Sequence, residues 1–87
     1  MNDEQNLTIG EYRVGKSFNP SADPKVDQAK AMAAALIDLC DTVANSQASD
    51  NKEVRRLTAI AMTHFEEGAM NLVKAITKPA LPASLAQ

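Results

Sequence analysis

The chain has no tryptophan, one cysteine and one histidine in 87 residues. A lone cysteine makes no intrachain disulfide, and one cysteine with one histidine cannot complete a tetrahedral zinc shell from a single chain. The disulfide-stapled secreted class falls away. Basic charge is also short: nine Lys and Arg face eleven Asp and Glu, a net charge of −2. That is the wrong sign for coating the phosphates of long DNA or RNA, although a local basic site for a small anion stays open. No apolar run approaches the roughly 20 residues of a membrane span. The acidic, polar start MNDEQNLTIG lacks the apolar core of a signal peptide. The expected location is a cytoplasm. Large apolar side chains are few as well, because 15 of the 39 apolar residues are alanine. A chain of this length forms one domain at most, and the remaining 24 side chains make a thin core for a monomer.

What is present is helical periodicity after residue 23. Residues 1–23 carry Tyr12, Phe18 and two of the three glycines with little periodicity, and read as an extended arm. Asp23 before Pro24 makes a helix start, since a carboxylate accepts a free N–H and proline has no donor to orphan. Val26, Ala29, Ala33, Leu36, Cys40 and Val43 then follow alternating three- and four-residue spacings, with Ile37 widening the stripe. The polar run from Asn45 to Asn51 is a loop, with Ser49 or Asp50 as the next cap. A second stripe, Val54, Leu57, Ala61, Phe65, Ala69, Leu72 and Ile76, continues until Pro79 and Pro82 stop it. The expected fold is all-α: an antiparallel two-helix hairpin over 24–78, with helices at about 24–45 and 50–77 and a short tail at 79–87. Met32, Leu39, Ile60, Met62, Met70 and Val73 lie off these seams. Together with many alanines and Gly68, they point to a hairpin that completes its core with copies of itself as a compact homo-oligomer.

Catalytic machinery is not visible: no Ser/His/Asp set, glycine-rich phosphate loop or paired acids stands out. His64 and Glu67 share a metal-compatible spacing but lack a second Glu-x-x-His pair, so no metal or cofactor is expected. Cys40, in the apolar seam, reads as a small buried hydrophobe. The arm sequence Gly10-Glu11-Tyr12-Arg13-Val14-Gly15-Lys16-Ser17-Phe18 sets aromatic rings among cations, a mix that suits a nucleotide through stacking and charge-assisted hydrogen bonds. Tyr12 and Phe18 equally suit hooks that pin the arm to the helices. On the second helix Arg56 and Thr63 lie seven apart, two turns on nearly one face. Glu53 offers Arg55 or Arg56 an ordinary surface ion pair instead.

Several segments carry a resemblance: Phe18-Asn19-Pro20-Ser21, Val26-Asp27-Gln28-Ala29-Lys30, Leu36-Ile37-Asp38, and above all the stretch from Arg56 to Thr77. Over roughly residues 10 to 78 the chain resembles the phage anti-CBASS cyclic-oligonucleotide sponges, which counter a bacterial immune system that signals with cyclic oligonucleotides. The resemblance implies a helical hairpin assembled as a homohexamer in the cytoplasm of the infected bacterial host. Such a protein sequesters cyclic di- and trinucleotides without cleaving them, so that the immune effector stays inactive. Carried over by motif, the dinucleotide-binding residues fall on Tyr12, Arg13 and Lys30, and the trinucleotide-binding pair on Arg56 and Thr63. The motif is not matched throughout: Glu11 stands where relatives often have glycine, and Met62 where they are often basic.

Symmetry makes this implication physically coherent. A cyclic dinucleotide has two phosphates and near two-fold symmetry, so a pocket on a two-fold interface receives each binding residue twice. A three-base ring fits a three-fold axis in the same way, with one Arg per chain for each phosphate. Neither long nucleic acid nor a membrane is an expected partner. The rival reading is an oligomeric hairpin adaptor that binds a protein; a hydrolase of the same signals lacks a metal set or general base.

Overall fold

Three α-helices follow one another along the chain: α1 (Ile9–Val14), α2 (Pro24–Ser46) and α3 (Lys52–Ile76), with a 3-10 turn at Ala83–Leu85. This computed structural model describes residues 6–46 and 50–85, and among them there is no strand. The chain is all-α, with α2 and α3 packed along one another as a hairpin.

The arm is not extended, because Thr8 and Glu11 form a capping box. The Thr8 hydroxyl accepts from the Glu11 N–H at 3.1 Å, and the Thr8 N–H donates to Glu11 Oε1 at 3.0 Å. Two otherwise unpaired donors are satisfied, enough to start a helix of only six residues. Gly15 ends it in the left-handed region at φ 66°, where a side chain would be strained. Between α1 and α2, Asn19 ties the turn down by donating to the Asp23 carbonyl at 3.0 Å and to Asp27 Oδ1 at 3.1 Å. Asp23 then caps α2 as its position suggests, accepting from the Lys25 N–H at 2.8 Å. The cap of α3 is Asn51 rather than Asp50. Its Oδ1 accepts from the N–H groups of Glu53 and Val54, and a side chain two or three residues ahead of those donors is what that geometry needs. Ser49, the other expected cap, lies outside the described residues.

The buried stripe keeps Val26, Ala29, Ala33 and Ile37 of the expected one in α2 and adds Ala34, while Leu36 drops out. Ala69 of α3 is buried with them, and Leu57 and Leu72 stay exposed. The change comes from α1. It packs against Ala34 and Asp38, so α2 must turn its contact face toward two neighbours and Ile37 takes the central place. Cys40 is only half-buried as a result.

Gly10 makes the closest approach of α1 to α2. Its N–H donates to Asp38 Oδ1 at 2.7 Å, and a Cβ there would lie 2.1 Å from the Ala34 carbonyl oxygen. Backbone cannot yield as a side chain can. Gly10→Ala should therefore push α1 off the hairpin and cost about 1–3 kcal/mol. Denaturant melts should show the loss, and hydrogen exchange should show it concentrated in the α1 amides; native protection in α1 would contradict the close packing.

Candidate functional site

One side of the hairpin is occupied by α1, and this is where the arm residues meet the helices. Gly10 and Arg13 are three apart and share the inward face of α1. Tyr12 points away and is 71 % exposed. Arg13 Nε donates to Glu66 Oε1 of α3 at 2.7 Å, and both side chains are half-buried. Beside them runs a cleft of about 220 Å³ lined by Val14, Lys30, Glu66, Ala69, Met70 and Val73. Two of the three arm-side candidates, Arg13 and Lys30, thus reach one small region.

Lys30 is buried, at 7 % exposure, and its ammonium holds the arm in place. Nζ donates to the Gly15 carbonyl at 2.8 Å and also to the Phe18 carbonyl, and it sits 5.5 Å from the centroid of the Phe18 ring. A charge can be buried here because two of its three N–H groups have acceptors and a ring face lies close. The arm is accordingly pinned by Lys30, by the Gly10 bond to Asp38 and by the Arg13 bond to Glu66. Neither Tyr12 nor Phe18, both 71 % exposed, acts as a hydrophobic hook. Glu11 also pairs with Lys16 at 2.9 Å. That bond, with the Thr8 N–H, holds the Glu11 carboxyl below its ordinary range. Its folded-state pKa being lowered, the cap contributes fully above the ordinary carboxylate range and fades as pH falls through the lowered value.

Arg56 and Thr63 lie apart from this cleft on the exposed surface of α3. Arg56 grips Glu53 with two bonds, Nε to Oε1 at 3.0 Å and Nη2 to Oε2 at 2.7 Å. The same pairing lowers the Glu53 pKa and raises that of Arg56. The surface ion pair that the sequence offered Arg56 is formed. Thr63 donates to the Ala59 carbonyl of its own helix at 3.2 Å and, with Ala59, Ile60 and His64, lines a shallow open depression. His64 Nδ1 is 3.4 Å from Glu67, and among the described residues no group of three or more His, Cys, Asp or Glu is placed to hold a metal ion.

The family model of the Acb2/Tad1 hairpin domain matches residues 11–77, a span that includes every one of these candidates. The chain belongs to this family. Acb2/Tad1 proteins are the anti-CBASS cyclic-oligonucleotide sponges, binders rather than enzymes, and membership points to a cyclic-nucleotide-binding role. No curated protein and no solved structure matches the chain. Among the described residues, no helix of this Acb2/Tad1 chain is long and apolar enough to cross a membrane.

Sequence reasoning missed Glu66, the carboxylate that Arg13 meets within the family-matched span. A signal existed. Thr8-Ile9-Gly10-Glu11 has capping-box spacing and Gly15 has the place of a helix stop. Recognising α1 would have turned Gly10 and Arg13 inward together. Their partners on α2 and α3 follow only from the packing.

Proposed function

We propose that this Acb2/Tad1 chain sequesters CBASS cyclic di- and trinucleotides without degrading them and so keeps the immune effector inactive. It does so as a homohexamer in the cytoplasm of the infected host. The observation that carries the reading is a cleft lined by Lys30 and by Glu66, the carboxylate to which Arg13 is bonded, with an exposed aromatic ring, Tyr12, on the same six-residue helix as Arg13. A phosphodiester is recognised by charge-assisted hydrogen bonds, and a base by stacking on a ring. Lys30 keeps one N–H beyond the two given to the arm. Small-molecule sites usually enclose about 300–1,000 Å³, so a cleft of about 220 Å³ is less than a full site. Two such clefts facing across a two-fold axis would supply the remainder and give each phosphate its own cation.

For the trinucleotide, Arg56 and Thr63 supply a cation and a hydroxyl about 10 Å apart along one exposed helix face. Arg56 is available to a phosphate because its present partner, Glu53, is a surface carboxylate, and exposed pairs of this kind are worth little. A second reading, an adaptor for a protein partner, is favoured by an open apolar groove on the side of the hairpin away from α1. Met32, Leu36, Phe65 and Leu72 line it.

Incubating the purified chain with a panel of cyclic di- and trinucleotides, removing free ligand and heating to release what is bound separates the readings. Intact recovery is the expected result. A linear product would make the chain a hydrolase, and no uptake would leave the adaptor.

A further inference from the structure

We infer that Glu66 is a positioning residue that aims the Arg13 guanidinium at a ligand phosphate; the inference rests on the nucleotide-binding reading above. Arg13 sits in the last turn of a helix only six residues long, and α1 meets α3 far less than it meets α2. Among the described residues, the Arg13 bond to Glu66 is the one hydrogen bond between α1 and α3, and it spans 53 positions of sequence. Arginine has much rotamer freedom to lose, so an unsupported Arg13 would bind an anion only after being ordered. A bond already made at Nε removes that requirement.

The atom used matters. Glu66 takes Nε at 2.7 Å, and the two terminal nitrogens make no hydrogen bond among the described residues. The end of the guanidinium fork, Nη1 with Nη2, is the edge that grips two phosphate oxygens side by side. With Nε fixed and the group planar, the direction of that edge is fixed too. Glu66 also lines the cleft with Lys30, so its carboxylate is shared between the Arg13 bond and the cleft that Lys30 faces. A carboxylate that only repelled the ligand would act in the opposite sense, and this makes the inference testable.

Calorimetric titration of the full chain with cyclic di-AMP and cyclic di-GMP should show Glu66→Ala weakening binding about tenfold, with no further loss when it is added to Arg13→Ala. Glu66→Gln keeps an oxygen acceptor for Nε and should restore affinity to within about threefold of the parent. Equal or tighter binding by Glu66→Ala, or full additivity with Arg13→Ala, overturns the inference. In the parent chain, the Arg13 Nε–H resonance should exchange slowly and stay slow when ligand is added; exchange as fast as that of a free arginine also overturns it, whether or not the variants fold. Failure of the parent to bind either dinucleotide would remove the functional reading itself, and the inference with it. A binding parent with an indifferent Glu66→Ala removes the inference alone.

Discussion

Tyr12→Ala is expected to weaken cyclic dinucleotide binding at least tenfold while leaving the helices folded. The ring is 71 % exposed and pins nothing in the chain, so its removal should change stability by no more than about 0.5 kcal/mol. Stacking on a base is worth about 1–3 kcal/mol, and a ligand on a two-fold axis would lose two rings at once. Even the lower end, doubled, exceeds a tenfold change. Tyr12→Phe keeps the π-face and should bind nearly as the parent does. Arg56→Ala supplies the crossed control: it should weaken cyclic trinucleotide uptake at least tenfold, a charge-assisted bond being lost in each copy, and leave dinucleotide uptake intact. Calorimetry of the variants against both ligand classes, with circular dichroism as the folding check, gives the comparison. Because the structure gives Tyr12 no anchoring role, an unchanged dinucleotide affinity would remove the ring from the proposed pocket.

The hairpin was legible because its signals are local and repeated. Two long stretches of three- and four-residue spacing, Asp23-Pro24 at one start and Pro79 past the last helix describe α2 and α3 almost completely. The full width of the buried stripe was not legible. Val26, Ala29, Ala33 and Ile37 follow from the spacing, but a third helix against Ala34 and Asp38 buries Ala34 as well, while Leu36 stays exposed. Lys30 shows the same limit. A lysine within an apolar stripe reads as a solvated side chain, and only the folded arm, by delivering the carbonyls of Gly15 and Phe18, makes its burial tolerable. The bond from Arg13 to Glu66 belongs to this class too, since nothing in either residue's own neighbourhood announces the other.

Leu72→Glu should convert the proposed assembly into single folded chains. The chain as a whole is thin, its Cα atoms spanning 13 Å along the shortest axis, and Ile37 and Val26 are its largest fully buried side chains. Stable domains cover an apolar face with a second layer. Here α1 covers one side, while the groove on the other leaves Met32, Leu36 and Leu72 exposed around Phe65. Gly68 lies in that groove, and a Cβ on it would meet nothing within 4 Å in the same chain. A mid-helix glycine costs about 0.5–1 kcal/mol relative to alanine, and no contact within the chain accounts for it. Close approach of another helix would, because absence of a side chain lets backbones meet. Gly68→Ala should therefore raise the helical stability of an isolated chain and yet weaken association, whereas a solvent-facing Gly68 would give the first effect without the second. Leu72 is half exposed already, so a charge there burdens the monomer little but cannot be buried unpaired in an interface. Light scattering at micromolar concentration should find the parent with no substantial 9.3 kDa species and Leu72→Glu with little else. A parent that is itself a monodisperse monomer would remove the two-fold pocket along with the hexamer, and would leave the groove to a different protein.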